Sequence, residues 1–409
     1  MVNMGELFAY PRIKNIQMDL VPVEDKEKHF QLEPGDLLFA RQSLVLSGAG
    51  QCSLFLGNRQ PTVFESHLIR CRLDTSRANP AFYFYFFRSP GGRRAMEEIV
   101  EQGAGASGIR GSDLVNLLVP FPAKKVQDAI ASVLSTLDDR IALMRETNAT
   151  LEAIAQAIFK SWFVDFDPVH AKQQGRIPEG MGEATAALFP DSFIESELGL
   201  LPSGWRKAAL GDVVETLGGG TPDTKESSYW VPAEYCWTTP KDLSGIQSPV
   251  LLDTERKLSA KGVSKISSGL LPTGTLLMSS RAPIGYLAIT QMPMAINQGY
   301  IAMLPGSILP PLYMLFWCQR NMDTIKSHAN GSTFMEISKR SFRPLPILVP
   351  PPDLLDAFVA VAESIFGRIV ENEKQARTLV AVRDILLPRL ISGQLRLPEA
   401  ESLIDEVAA

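Results

Sequence analysis

The stretch 353-DLLDAFVAVAESIFGRIVENEKQARTLVAVRDILLPRLIS-392 decides how this chain folds. Apolar or small residues fall at Phe358, Ala362, Ile365, Ile369, Ala376, Leu379, Leu386 and Leu390 in alternating steps of four and three, with Asn372 and Arg383 holding the two remaining places. That spacing keeps one stripe on one side of an α-helix and reads as a coiled-coil seam. A second stripe runs through Val126, Ile130, Val133, Leu137, Ile141, Met144, Asn148, Leu151, Ala155, Ile158 and Trp162. One extra four-residue step, Leu137 to Ile141, marks a stutter that locally unwinds a supercoil. Each pattern covers about 40 residues, roughly 55–60 Å of helix at 1.5 Å per residue. A lone helix exposing one apolar stripe is not stable in water, so the pattern predicts two long helices, 123–165 and 351–393, packed on each other. Periodicity alone leaves open a coiled coil that only makes a dimer.

Working outward, the residues before each helix repeat. Gly35-Asp36-Leu37-Leu38 recurs as Gly274-Thr275-Leu276-Leu277, an offset of 239, and Pro80, which opens an aromatic run, recurs as Pro311. Val119-Pro120 recurs as Val349-Pro350, and Arg140-Ile141 as Arg368-Ile369. The offset falls steadily along the chain, as it does when one copy carries longer loops; chance matches would scatter. Each copy has short alternating runs punctuated by Gly and Pro, then an apolar strand (117–122, 345–352), then a long helix. The expected fold class is α+β: two similar domains separated by two long helices packed as an antiparallel coiled coil, a pseudo-two-fold internal repeat. Antiparallel packing would set the two blocks at opposite ends of a stiff rod. The aromatic runs 82–87 and 313–317 read as a buried first helical turn in preference to base-stacking platforms.

The chain has 409 residues, 45% hydrophobic and 21% charged, enough for two domains with proper cores. It holds no run of about 18 uncharged apolar residues and no basic, apolar leader, so the expectation is a cytoplasmic protein with no membrane partner. Cys52, Cys71, Cys236 and Cys318 are scattered without metal-ligand spacing and read as free buried thiols. The net charge of −5 argues against a phosphate binder until it is divided along the chain. Residues 1–120 are neutral and 201–350 carry +4, whereas 121–200 and 351–409 carry −5 and −4. Acidity sits in the segments read as helical and spares the two strand-rich blocks.

The segment 148–205 resembles the central region of specificity subunits of type I restriction-modification systems. The residues that carry the likeness are Ala157-Ile158-Phe159-Lys160-Ser161-Trp162-Phe163-Val164-Asp165-Phe166-Asp167-Pro168, Leu188-Phe189-Pro190, Leu198-Gly199 and Pro202-Ser203-Gly204-Trp205. Leu210-Gly211-Asp212, Gly219-Gly220-Thr221-Pro222, Tyr229-Trp230, Trp237-Thr238-Thr239-Pro240-Lys241-Asp242-Leu243 and the closing LLPRLISG of 386–393 look like that family too. The resemblance implies two target-recognition domains, 1–122 and 205–350, each reading one half of a bipartite DNA site. The two helices would be spacer and docking surface, 166–204 a linker and 394–409 a tail. It implies as partners double-stranded DNA, two modification subunits that bind S-adenosylmethionine and methylate adenine, and restriction subunits that use ATP and Mg. This chain would then hold no cofactor, metal or catalytic residue. The first copy departs from the pattern: it has 120 residues up to Pro120, against 146 from Trp205 to Pro350, and lacks counterparts of 205–220. Either this start lies downstream of the true one or the first domain is trimmed.

Phosphate is held by Lys and Arg in loops, while Asn, Gln and Arg read base edges. On that chemistry the contact candidates are Thr221, Lys225, Lys241, Arg281, Asn297, Gln298, Ser332 and Lys339 in the second copy, and Arg41, Ser43, Ser107 and Arg110 in the first. Other motifs dissolve on inspection. Gly103-Ala104-Gly105-Ala106-Ser107-Gly108 matches G-x-G-x-x-G but follows a helical stretch, not a strand, so it reads as a loop with a counterpart at 330–334. Asn79-Pro80-Ala81-Phe82 is only a partial match to the motif of adenine methyltransferases, lacking the second proline and a glycine-rich cofactor motif before it. Gly219-Gly220-Thr221-Pro222 lacks the Lys of a phosphate loop. A self-sufficient methyltransferase would need a cofactor pocket, and a coiled-coil adaptor would not need two blocks spared the acidity of their helices.

Overall fold

The computed structural model describes the chain except residues 104, 197, 198, 332–334, 401 and 403–409, and the side chain of Ser196. Contacts divide it into two units, Met1–Ala142 with Arg377–Ala409, and Leu143–Ala376.

The first unit begins with helix α1 (Met4–Ala9), closed by a capping box between Asn3 and Glu6. Strands β1 (Arg12–Lys14), β2 (Leu37–Ala40), β4 (Cys52–Gly57) and β5 (Leu68–Cys71) form one sheet in the order β1-β4-β2-β5. A smaller sheet joins β3 (Gln42–Ser43), β6 (Glu101–Gln102) and β7 (Ser107–Gly108). Helices α2 (Pro80–Arg88), α3 (Pro90–Glu97) and α4 (Gly111–Val115) follow, then α5 (Lys124–Phe163). All six aromatics of α2 are buried, so the proline-led run is core, as its sequence suggests.

In the second unit, α6 (Asp167–Gln173), α7 (Glu183–Ala187) and the hairpin of β8 (Phe193–Ser196) and β9 (Gly199–Pro202) follow α5. The segment expected to be a linker is thus folded, with Val169 and Phe189 sealed into the same core as Trp205 and Phe358. Next come β10 (Arg206–Ala209), α8 (Leu210–Val213), β11 (Thr216–Leu217), β12 (Tyr235–Thr238), α9 (Pro240–Leu243), β13 (Val250–Leu251), β14 (Arg256–Leu258) and α10 (Ala260–Val263). They are followed by β15 (Leu276–Ser279), β16 (Leu287–Thr290), β17 (Ala295–Ile296) and β18 (Tyr300–Met303). The unit is completed by α11 (Pro311–Arg320), α12 (Met322–Ser327), α13 (Lys339–Phe342), β19 (Pro346–Val349) and α14 (Pro352–Ile391), whose last turns belong to the first unit.

The main sheet of the second unit runs β13-β16-β15-β18-β11. Four strands match the first unit one for one. β1 lies parallel to β4 as β13 does to β16, and β2 sits antiparallel between β4 and β5 as β15 does between β16 and β18. Individual hydrogen bonds recur too. Arg41 N donates to His67 O at 2.9 Å and Ser280 N to Gly299 O at 2.8 Å; Ile109 N donates to Arg41 O and Ile337 N to Ser280 O. Gly35 (φ +100°) and Gly274 (φ +84°) make the same left-handed turn into the central strand, which a side chain with a Cβ resists. β11 has no counterpart among the described residues of the first unit.

The segment 117–122, expected to be a strand, is not one. Its counterpart β19 is held as a strand by β10, through Arg206↔Val349 to Ala209↔Pro346. Among the described residues the first copy has no counterpart of β10, and a strand without a partner leaves its backbone groups to water.

Within the second unit the long helices run antiparallel. Phe159 and Phe163 meet Phe358 at ring distances of 5.7 and 5.0 Å, while Asn148, earlier on α5, meets Asn372, later on α14. Within the first unit, Arg383 of α14 donates to Asp138 of α5 at 2.7 Å. The seam of α14 is buried as its spacing predicts, with Ile365 and Arg383 half-buried. That of α5 differs at its start: Val126 is exposed, and Gln127 is buried instead, capturing Asn79 N and the Pro122 carbonyl. The chain needs a polar group there because Asn79, the N-cap of α2, sits against it.

Candidate nucleic-acid interface

In the second unit the loops after β11, β12, β15 and β17 and before α13 are stitched together by backbone bonds. Gly220 N donates to Ile296 O, Asn297 N to Thr238 O, Ser280 N to Gly299 O and Ile337 N to Ser280 O. Gly219 has no room for a side chain, since a Cβ would lie 1.9 Å from Ile296 O. Beneath the loops, the buried Tyr300 hydroxyl bonds Thr238 Oγ1 at 3.0 Å, and burial pushes its pKa up, so it stays a neutral phenol.

This stitching gathers most of the sequence candidates. Thr221 Oγ1 donates to Gln298 Oε1 at 2.7 Å, and Asn297 Oδ1 accepts from Gly299 N at 2.8 Å. Each amide therefore has its oxygen fixed while its NH2 group has no protein partner among the described residues, an arrangement suited to reading a base edge. Lys339, at the first turn of α13, brings its Nζ against Gly218. Arg281 lies 3.8 Å from the Glu336 carboxylate, and its backbone bridges the same residue. Lys241 pairs with Glu255 at 2.8 Å, which raises its pKa; the pair is exposed, so a phosphate can compete for the ammonium. Lys225 lies apart from the group, exposed on the loop that leads to Tyr229. Ser332 lies outside the described residues.

The four candidates of the first unit also come together. Ser43 of β3 faces Ser107 of β7, Arg41 directly precedes β3, and Arg110 follows β7 and pairs with Glu101 of β6 at 2.6 Å. The small sheet thus repeats the junction of the second unit, where the Arg281↔Glu336 bridge stands in place of Gln42↔Gly108.

Sequence reasoning missed three residues here, Gln42, His67 and Arg256. Gln42 occupies the place of Arg281, and its amide bonds His67 Nδ1 at 3.1 Å on an exposed surface. The repeat contained the signal, since carrying the Gly35/Gly274 offset forward a few residues pairs Gln42 with Arg281. The third is Arg256, whose guanidinium stacks 3.6 Å over Trp230. Trp230 Nε1 and Trp237 Nε1 in turn donate to the carbonyls of Asp223 and Gly220, so the stack fixes the loop that carries Thr221. No motif announces it, because Arg256 is joined to Trp230 only by the pairing of β14 with β12.

Two copies of one α+β domain, each presenting basic and amide side chains on stitched loops and each followed by a long helix, define a class: duplicated recognition modules. The comparisons agree. The model of the type I restriction modification DNA specificity domain matches twice, over residues 10–153 and 202–354. The chain belongs to that family. It is 25% identical over 446 aligned positions to the type I restriction enzyme HindI specificity subunit of Haemophilus influenzae, covering 96% of this chain and 94% of that one. It is 34% identical over 190 positions to the MjaIX specificity subunit of Methanocaldococcus jannaschii, 46% of this chain and 44% of that one. The solved type I restriction-modification S subunit from M. genitalium shares the fold, with a TM-score of 0.51 at 16% identity over 93% of this chain and 88% of that one. The role of this chain is DNA specificity. No described helix is long and apolar enough to cross a membrane.

Proposed function

We propose that this chain reads a bipartite DNA site, one half with each domain, across a spacer that its residues do not read. The observation that carries this is the duplication itself: the same sheet, with the same loop junction beside it, is built once before each long helix. One domain is 1–122 and the other 205–350, joined through the helices 123–165 and 351–393. Base edges are read by Asn297, Gln298 and Arg281 in one domain and from the Arg41, Ser43, Ser107 and Arg110 surface in the other. Lys225, Lys241 and Lys339 hold phosphate, Thr221 positions Gln298, and Ser332 belongs to the same contact set.

The chemistry lies in partners. Two modification subunits bring S-adenosylmethionine and methylate adenine; restriction subunits bring ATP and Mg and cleave DNA. The chain works in the cytoplasm. The test mixes it with its modification subunits, labelled S-adenosylmethionine and duplex DNA. Methyl transfer at a two-part sequence only when this chain is present is the expected result. Transfer at that sequence without it, or by it alone, would refute the proposal.

A further inference from the structure

The turn from β2 to β4 is longer than its counterpart from β15 to β16. On either side of it the hydrogen bonds recur: Ala40 N donates to Gln51 O and Gly50 N to Ala40 O, as Ser279 N donates to Tyr286 O and Gly285 N to Ser279 O. Gly50 (φ +66°) and Gly285 (φ +107°) each lack room for a side chain, a Cβ running into Met96 in one and Met322 in the other. Ala40 and Ser279 are 239 positions apart but Gly50 and Gly285 only 235, so the first unit carries four extra residues between them. With Ser43 set against Ala282, and the buried Ala49 against the buried Ile284, the surplus is Leu44-Val45-Leu46-Ser47.

The surplus is apolar, yet it stands in water. Leu44 is 89%, Val45 60% and Leu46 41% exposed. The turn is nevertheless pinned. Val45 N donates to Ser43 Oγ at 3.2 Å, Gly48 N to Val45 O at 3.0 Å, and Arg93 Nη2 to Ser47 O at 2.9 Å. A Cβ on Gly48 would lie 2.2 Å from Ser43 Oγ, so the turn closes tightly on itself. Holding three apolar side chains out of the core contributes nothing to folding, and contiguous exposed apolar residues with a polar rim mark contact with another molecule.

The surroundings select that molecule. The insertion continues β3 directly, two residues beyond Gln42, on the surface proposed above to read DNA. Arg41 precedes it, Arg93 holds its base, and no Asp or Glu occurs between Asp36 and Glu65. A cationic flank free of carboxylates complements a polyanion. The apolar group that a duplex presents among its base edges is the thymine C5 methyl, which lies in the major groove.

We infer that Leu44 and Val45 read a thymine methyl in the half-site of the first domain, fixing one A·T pair by apolar contact, a device that the shorter turn of the second domain lacks. The inference rests on the reading of DNA proposed above and adds to it the residues and the chemical group of one contact.

The test titrates the complex with modification subunits against labelled duplexes carrying the two-part sequence that it methylates. Each thymine is replaced in turn by deoxyuridine, which lacks only the methyl. Binding about fourfold weaker at one thymine of one half-site is expected, the effect of one buried methyl. Leu44→Ser combined with Val45→Ser, and a second variant with 44–47 removed, should bind the thymine and deoxyuridine duplexes equally, with the thermal midpoint of the parent. The inference is overturned if no deoxyuridine weakens binding, or if the doubly substituted variant keeps the parent's discrimination. Loss of the modification subunits in place of the thymine preference overturns it as well, since the tip would then be a protein contact. A parent complex without preference for any two-part sequence refutes the DNA reading itself, and is told apart because it appears before 44–47 is altered.

Discussion

Asn148 and Asn372, both interrupting an otherwise apolar stripe, meet across the two long helices: Asn372 Nδ2 donates to Asn148 Oδ1 at 2.8 Å. Asn148 Nδ2 in turn reaches Ile369 O and Glu373 Oε1 at 3.3 and 3.2 Å, and Glu373 accepts from Ser248 at 2.8 Å. Both amides are buried, at 2% and 5% exposure, so any other register of the two helices would strand them without partners. The contact fixes which turn of α5 faces which turn of α14, and ties that register to the loop before β13.

Asn372→Leu leaves the Asn148 oxygen buried without its donor and should destabilise the fold by about 1–3 kcal/mol. Asn148→Leu with Asn372→Leu should recover most of that loss, since two apolar groups meet. Denaturation midpoints of both single variants and the double variant give the coupling. Simple additivity of the single losses would show that the two amides do not act as a pair.

Asp138 accepts from the Tyr85 hydroxyl and from Arg383 Nη1, both at 2.7 Å. Asp138→Ala takes the acceptor from a buried phenol and one of two carboxylates from Arg383, which keeps its pair with Asp384, and should cost about 2–3 kcal/mol. Tyr85→Phe removes one partner only and should cost about 1 kcal/mol. Equal losses in thermal unfolding would contradict this ranking.

Lys339→Ala should weaken binding to cognate and unrelated duplex alike, and lower the slope of log K against log salt by about 1. Gln298→Ala should instead relax one base position of one half-site, by about 1–3 kcal/mol of discrimination. Affinities in the complex with modification subunits, at several salt concentrations, separate the two. A Gln298→Ala variant that keeps full discrimination would remove it from the base-reading set.

Burial raises the pKa of Cys52, Cys318, Tyr85, Tyr300 and Tyr313 above the ordinary values of 9.0 for cysteine and 10.0 for tyrosine. The folded state keeps these protons when the unfolded state has lost them. Their contribution is therefore whole below about pH 9 and falls as pH rises beyond it, by at most about 1.4 kcal/mol per pH unit for each group. Stability measured from pH 7 to 11 should be level and then drop. In the native protein at pH 8, Cys71 should react with a thiol reagent before Cys52 or Cys318, because it alone of the three is partly exposed. Faster labelling of Cys52 would contradict its burial.

The stripe of α14 could be read almost residue by residue because a heptad is local: its period is written in consecutive residues and needs no partner to be seen. The duplication was legible for the same reason, through Gly35/Gly274 and Val119/Val349. The 117–122 segment was misread because its apolar pattern is that of a strand, while being a strand depends on a neighbour elsewhere in the chain. Val126 and Gln127 were exchanged in the seam because Asn79, distant in sequence, requires a polar group beside it.

By itself, the sequence determined that there are two related domains and two long helices, since repetition and period are properties of the order of residues. Tertiary structure alone decided that Asn148 finds Asn372 and that Arg256 lies on Trp230. Each of these depends on hydrogen bonding and packing between segments far apart in the chain, where no local spacing records the distance.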